Sequence, residues 1–480
     1  ELALMARYDN SKEGRAVVLN DDGTEPYDID NDGDRFLNGF AKIPWASCEA
    51  TPVVADIYNN GEPCLISVTR NNSNKAENYI VCVSSMDKNN DGVPDTLWTK
   101  QLSNPYYRSA IATDIDFPDG ENKKEIILLS TDGGSIKILD CNGNLKHTLS
   151  SLLSGTYNMP AVADLDNDGY KEIVCTDANG VYIWQYDSCS YNKTCIFSSP
   201  SSSIKLSSSP VICDLNKNGV KDIIVASNKA TRSYIYAIDA NSNLLDGFPV
   251  SISYSGATGA GLDHQVTIGD INNDGYLEIV ALGTDSVKAW NKSGELIFGR
   301  RFKGLLPNTN YSVNMTEPLL ADVDGDSIPD IIFYLDEKVY VLDNEGNDVE
   351  GFPIITKKER LTGLSISDID NDGKNEIIAG DMGGYIHAWK TNGVSTAIEW
   401  GRSRFDTGFT GEYVSGYQDP WVVTENRDWQ GGAFVNDIIV RSGTLRISSG
   451  KDLQMPDACR IYVMDGGTLE VDGGVITNAN

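Results

Sequence analysis

Residues 161–176 read AVADLDNDGYKEIVCT. A short apolar run ends before Asp164, a polar loop follows, and a β-branched run starts after Glu172. Apolar runs this short, bounded by Asp, Asn and Gly, suit strands, so the stretch reads as strand, tight loop, strand. Asp164, Asp166, Asp168 and Glu172 occupy loop positions 1, 3, 5 and 9. Tyr170 at position 7 offers a backbone carbonyl, and Gly169 at position 6 permits a sharp turn. Calcium takes roughly six to eight hard oxygens, and this spacing supplies them. The loop follows the first part of the EF-hand pattern but ends three residues sooner, and β-branched runs replace the flanking helices.

The stretch is one of a series. TPVVADIYNNGEPCLISV (51–68) begins it, and the other copies are AIATDIDFPDGENKKEIILLS (110–130), PVICDLNKNGVKDIIVAS (210–227), VTIGDINNDGYLEIVALG (266–283), PLLADVDGDSIPDIIFYL (318–335) and SISDIDNDGKNEIIAGD (365–381). Their first acids are Asp56, Asp114, Asp164, Asp214, Asp270, Asp322 and Asp368, spaced by 58, 50, 50, 56, 52 and 46 residues. Within a unit a third strand is read at Val181–Trp184 or Tyr234–Ile238, and a fourth near DGFPV (246–250) or EGFPI (350–354). Four short antiparallel strands repeated at this period describe propeller blades. At the amino terminus, ELALMAR, GRAVVLN and FLNGFAKIP align with second, third and fourth strands. The expectation is an all-β, eight-bladed β-propeller over 1–400, with seven blades and an amino-terminal flap as the alternative.

Most copies carry the ligand spacing. The sets are Asp214, Asn216, Asn218, Val220 and Asp222; Asp270, Asn272, Asp274, Tyr276 and Glu278; Asp322, Asp324, Asp326, Ile328 and Asp330; and Asp368, Asp370, Asp372, Lys374 and Glu376. Val220, Tyr276, Ile328 and Lys374 contribute backbone carbonyls only. In the Asp322 loop Ser327 stands where the others have Gly, and its Gly325 reads as a shifted glycine. The Asp114 loop offers Asp114, Asp116, Asp119 and Glu125 around an insertion, and the Asp56 loop is degenerate. DKNNDGVPD (87–95) adds a further set, Asp87, Asn89, Asp91, Val93 and Asp95, between a third and a fourth strand. Several carboxylates in one turn repel each other without a cation, so multiple structural calcium ions are expected.

Composition agrees. With 69 acidic residues against 39 basic, the net charge is -30, which disfavours nucleic acid and anionic membranes as partners. No apolar run is long enough to span a membrane. The chain opens ELALMARYDN, with neither an initiator Met nor a leader pattern, and reads as a mature or truncated product. Nine cysteines cannot all pair internally. Cys189 and Cys195, in SCSYNKTC, are the candidates for a local disulfide, which would fit an oxidising compartment.

DLDNDGYKEIV, DINNDGYLEIV and DIDNDGKNEII, with DGFP and EGFP near unit ends, resemble the FG-GAP/VCBS repeat family over residues 1–400. The resemblance implies a propeller with calcium in the loops between inner strands, and an extracellular setting: adhesion heads, lectin-like modules or accessory domains of secreted bacterial enzymes. GRSRFDTGFTGEY (401–413) is similar to the segment that ends such propellers in secreted Bacteroidetes proteins, with Phe405 and Asp406 in place of the usual His-Asp pair. Residues 401–430 read as a linker or closing segment. Over 431–480, SGTLRI and GGTLEV recur 24 residues apart and resemble a small β-solenoid. Similar stretches precede sorting domains of proteins exported by the type IX system.

The function expected is an extracellular binding, adhesion or display module for protein or glycan, secreted or at a cell surface. Other domains of a longer precursor or a secretion apparatus are further partners. Three histidines in separate units, and no local nucleophile, zinc or phosphate motif, make an enzyme the weaker reading. A polysaccharide lyase on a calcium propeller is the enzymatic alternative, and a spacer in a large adhesin the architectural one. Tyr106, Tyr107, Tyr157 and Tyr311, just before inner strands, are candidate contacts for a ligand.

Overall fold

The structure is a computed structural model. It describes residues 2–7, 13–19, 41–44, 51–69, 78–85, 88, 94–102, 109–116, 123–130, 134–150, 158–187, 190–201, 204–206, 208–228 and 233–252. Beyond these it describes 266–283, 286–302, 317–356, 361–370, 372–381, 385–406, 409–414, 421–423, 426–430, 432–433, 438–440, 443–455, 461–463 and 467–478. Every regular element among them is a strand. The chain divides into two compact units, Glu1–Ile57 with Cys64–Tyr413, and Tyr58–Pro63 with Val414–Asn480.

The first unit holds eight antiparallel sheets in chain order among the described residues. In the sheet of the Asp164 loop the strands are Ala161–Ala163, Glu172–Asp177, Gly180–Tyr186 and Tyr191–Ser198, each paired with the next. The residue before position 1 pairs with position 9: Ala163 with Glu172, Cys213 with Asp222, Gly269 with Glu278, Ala321 with Asp330, and Ser367 with Glu376; across the longer Asp114 loop Thr113 pairs with Glu125, which takes the place of position 9. One hairpin register is therefore used throughout. It is set by side chains that alternate across a strand with period two. At the amino terminus Leu2–Arg7, Glu13–Leu19 and Ala41–Pro44 form a three-stranded sheet, as the alignment with second to fourth strands predicts.

Burial falls from the first strand of a sheet to the last. Ala161–Ala163 and Glu172–Asp177 are buried throughout, whereas Tyr191–Ser198 is largely exposed or half-buried. Strands buried on both faces must be covered on both sides, and neighbouring sheets do this. Ala161, Ala163, Val174 and Val181 share one apolar cluster with Ile212, Ile223, Val225 and Tyr236 of the next sheet.

A single segment ties the first strands together. Ile398–Trp400 pairs antiparallel with Leu319–Ala321. From there Gly401 O accepts Ile366 N at 2.8 Å, Glu399 Oε2 accepts Asp270 N at 3.4 Å, Gly411 O accepts Ile212 N at 2.9 Å and Thr410 O accepts Val162 N at 2.9 Å. Residues 398–411 thus meet five consecutive sheets at or beside their first strands. Trp400, Arg404, Phe405 and Phe409 of this segment are buried. Successive antiparallel sheets whose first strands gather on one segment are consistent with a propeller-like architecture.

The second unit is built differently. Its three-stranded sheets are parallel: 421–423 with 438–440 and 461–463, 427–428 with 443–448 and 467–472, and 432–433 with 453–455 and 476–478. Thr444 lies beside Thr468 and Leu445 beside Leu469, so the SGTLRI and GGTLEV repeats stack in register. Ile438, Val440, Leu445, Ile447 and Leu453 fill the core between the sheets.

Candidate metal centres

Each loop is folded by its own side chains, which accept backbone N–H groups. Position 1 accepts position 6: Gly169 N lies 3.1 Å from Asp164 Oδ2, Gly219 N 2.8 Å from Asp214 Oδ2, Gly275 N 2.7 Å from Asp270 Oδ2 and Gly373 N 2.9 Å from Asp368 Oδ2. Position 5 accepts position 7: Tyr170 N to Asp168 Oδ1 and Tyr276 N to Asp274 Oδ1 are both 2.8 Å, and Val220 N to Asn218 Oδ1 is 2.7 Å. Position 9 accepts position 2: Leu165 N to Glu172, Leu215 N to Asp222, Ile271 N to Glu278, Val323 N to Asp330 and Ile369 N to Glu376, at 2.8–3.1 Å. Positions 3 and 5 are joined as well, for instance Asp168 N to Asp166 Oδ1 at 3.3 Å. The backbone donors point inward and draw the acids together.

The Asp322 loop corrects the reading of its glycine. The loop backbone enters the left-handed region twice, at position 4 (Asn167 φ 59°, Asn273 φ 55°) and at position 6 (Gly169 φ 93°, Gly275 φ 86°). In the Asp322 loop Gly325 takes the first turn at φ 94° and Ser327 the second at φ 68°. Ser327 N still donates to Asp322 Oδ2 at 3.1 Å, so nothing is shifted. The strain tolerated at one left-handed position has moved to the other.

The acids do converge. Asp164, Asp166 and Glu172 bring carboxylate oxygens within 4.8 Å of one another, as do Asp322, Asp324 and Asp330, Asp368, Asp370 and Glu376, and Asp114, Asp116 and Glu125. Asp214 is accompanied by Asn216 and Asn218, which lowers the charge of that loop. Asp119, Asp87, Asn89, Asp91 and Val93 lie outside the described residues, and Asp95 accepts Lys88 N at 2.8 Å. Tyr106, Tyr107, Tyr157 and Tyr311 also lie outside them.

A chemical test of these loops is whether they leave oxygens unsatisfied. Asp164 Oδ1, Glu172 Oε1, Asp222 Oδ1 and Glu376 Oε1 are buried and have no hydrogen-bond partner. A buried carboxylate oxygen without a partner is costly, and a divalent cation supplies what is missing. All donor atoms are hard oxygens, the set that calcium and magnesium prefer. The loops can therefore chelate a divalent cation.

An FG-GAP-like repeat matches residues 164–225 and 214–281. That stretch carries the Asp164, Asp214 and Asp270 loops, and the Asp322 and Asp368 loops repeat its hydrogen bonds outside the FG-GAP-like match. Among curated proteins, no relative matches the chain. Solved structures that resemble it include the V. cholerae biofilm matrix protein Bap1, 13% identical over 77% of this chain and 94% of that one, TM-score 0.42. The Dos1 propeller is 9% identical over 68% and 75%, TM-score 0.44. An Agrocybe aegerita lectin recognising non-reducing terminal N-acetylglucosamine is 15% identical over 65% and 81%, TM-score 0.41.

Without metal the position-9 acids are hard to ionise. Burial, joined by the charge of neighbouring loop acids, pushes Glu172, Asp222 and Asp330 up to about 7 and Glu278 to about 8. In the unfolded chain such groups ionise near pH 4. The folded state therefore binds these protons more tightly, and the resulting stability is full below about pH 4 and lost as pH rises through about 7–8. In a chelator, the melting midpoint is expected to fall by roughly 5 °C or more between pH 5.5 and 8.5. Calcium should flatten or reverse that slope, because it replaces the proton. A metal-free midpoint that rises over this interval, followed by differential scanning fluorimetry, contradicts the assignment.

Two lysines approach the acid clusters. Lys390 contacts Asp370 and reaches Asp372 at 3.3 Å, while Lys146 lies between Asp116 and Glu125. Nothing in the loop spacing announces either. Of the Cys189–Cys195 pair expected to form a disulfide, Cys195 is an exposed free thiol on Tyr191–Ser198, opposite Tyr182, and Cys189 lies outside the described residues. Of the histidines, His147 packs beside Tyr186 and Tyr191, and His387 pairs with Asp381 at 2.8 Å and stacks on Trp389. No catalytic apparatus is evident among the described residues.

Proposed function

We propose that the chain is an extracellular, calcium-stabilised eight-bladed β-propeller followed by a small β-solenoid, and that it acts as a binding or display module for a protein or glycan. The loops described above, with Asp164, Asp214, Asp270, Asp322 and Asp368 at position 1, are the calcium sites. Their distribution over successive sheets suits a structural role. A divalent ion in each would fix one hairpin and hold the residue at position 7 in place.

The observation that carries the binding reading is where one such residue sits. Tyr170, at position 7 of the Asp164 loop, lies 5.6 Å from the Tyr186 ring, which lies 5.1 Å from Tyr191, and His147 of the preceding sheet is 5.2 Å from Tyr191. All four rings are half-buried. Half-exposed aromatics on a rigid frame offer flat apolar faces beside polar atoms, which suits stacking against a sugar ring or a protein side chain. The test is binding of the intact, calcium-loaded chain to immobilised glycans and extracellular proteins. Tyr186→Ala is expected to weaken the captured interaction about tenfold or more with the calcium content unchanged. Unaltered binding by that variant overturns the assignment of this surface. Release of unsaturated sugar products from a polysaccharide would favour a lyase instead.

A further inference from the structure

Position 9 is built alike from loop to loop, with one exception. One carboxylate oxygen accepts the N–H of position 2, as Leu165 N does to Glu172 Oε2 at 2.8 Å and Ile369 N to Glu376 Oε2 at 3.0 Å. In three loops the second oxygen, Glu172 Oε1, Asp222 Oδ1 or Glu376 Oε1, is buried without a partner. In the Asp114 loop Glu125 Oε2 accepts Ile115 N at 3.3 Å in the same manner, but its second oxygen is occupied. Lys146 Nζ lies 3.0 Å from Glu125 Oε1 and 2.7 Å from Asp116 Oδ2. An ammonium sits where those three loops leave an oxygen open.

The lysine is particular to this sheet. It follows a turn that recurs between third and fourth strands, Asp140–Asn144, in which Asn144 N donates to Asp140 Oδ1 at 2.7 Å. The same turn is made at Asp239–Asn243, Asn291–Glu295 and Asp343–Asn347, with bonds of 2.7, 3.0 and 2.8 Å. Two residues beyond each turn stand Lys146, Leu245, Ile297 and Val349 respectively. Three sheets place an apolar side chain where the Asp114 sheet places a cation.

We propose that Lys146 is the resident cation of the Asp114 loop, and that calcium does not fill this loop at concentrations that fill its counterparts. The inference rests on reading those counterparts as calcium sites. A lysine tethered to the fourth strand of the same sheet is present at high effective concentration, and it pays little to find the site again. Both of its contacts are charge-assisted, and Glu125 is nearly buried, with 6% of its side chain exposed. An ion entering the loop must break both contacts, which weakens its binding by more than about tenfold. Lys390 differs. Its side chain is 67% exposed, it meets only Asp370 and Asp372, and Glu376 Oε1 stays open, so it forms a surface pair that an ion displaces readily.

The experiment counts calcium ions per intact chain, by equilibrium dialysis with metal analysis at about ten times the concentration that half-fills the wild-type protein. Asp116→Asn should bind as many ions as wild type, and Lys146→Met should bind one more. Asp164→Asn should bind one fewer, which verifies that an open loop is counted. If Asp116→Asn also loses one ion, or a folded Lys146→Met gains none, the Lys146 proposal is overturned while the calcium reading stands. If Asp164→Asn loses none, both are overturned. Should Lys146→Met fail to fold, the Asp116→Asn count decides.

Discussion

Chelation is expected to lower the melting midpoint of the calcium-loaded chain by on the order of 10 °C, with loss of the metal verified by elemental analysis. Two effects add. Each ion bound only by the folded state contributes about 2.7 kcal/mol when free calcium is a hundredfold above its dissociation constant, and at least four loops leave oxygens or acid clusters ready for one. Removing the ion also restores the repulsion among carboxylates held within 4.8 Å of one another. Four such ions sum to about 11 kcal/mol, and a unit of this size converts each kcal/mol into only about one degree, which keeps the expected shift near the stated value. Magnesium should restore less of it, because it demands a smaller, near-octahedral shell that nine-position loops of this spacing do not impose. An unchanged midpoint after verified removal would sink the structural role of the ions.

The hairpins were legible in the sequence because two periodicities coincide there. Acids at positions 1, 3, 5 and 9 need the same tight loop that joins two antiparallel strands, so Asp164–Glu172 announces both a cluster and a register, and Ala163 does pair with Glu172. The parallel pairing of SGTLRI with GGTLEV was legible for the same reason, as a repeat that stacks on itself. Contacts made across the chain were not. Lys146 looks like any solvated strand lysine until the fold brings Asp116 and Glu125, 30 and 21 residues away, to its ammonium. Likewise, nothing local in GRSRFDTGFTGEY says which strands it meets, because its partners range from Ile366 back to Val162.

That segment carries the second large expectation. Arg404→Ala should lower the midpoint by on the order of 10 °C and expose residues 401–413 to limited proteolysis. Arg404 is 1% exposed, and its guanidinium donates to Pro210 O at 2.8 Å and also to Pro160 O, so one side chain pins the approach to two successive first strands. Truncation leaves two buried carbonyls short of donors, at about 1–3 kcal/mol each, and opens a cavity where the side chain stood. Burial pushes the guanidinium down to about 10, still far above neutrality, so its charge is retained and its donors remain fixed. Relief of the cost of burying that charge offsets part of the loss. The loss is also shared: Thr410 O and Gly411 O, which accept Val162 N and Ile212 N, follow directly after a turn in which Gly411 N donates to Arg404 O. Arg404→Lys should not rescue, since a single ammonium lacks the planar fork that spans two carbonyls. Gly411→Ala approaches the same point from the other side. A methyl group there would come within 2.1 Å of the guanidinium, on a backbone with φ of +70°, and should reproduce the loss without removing any donor. A midpoint for Arg404→Ala within about 2 °C of wild type, with the segment still protected from protease, would show that the five sheets hold together without it.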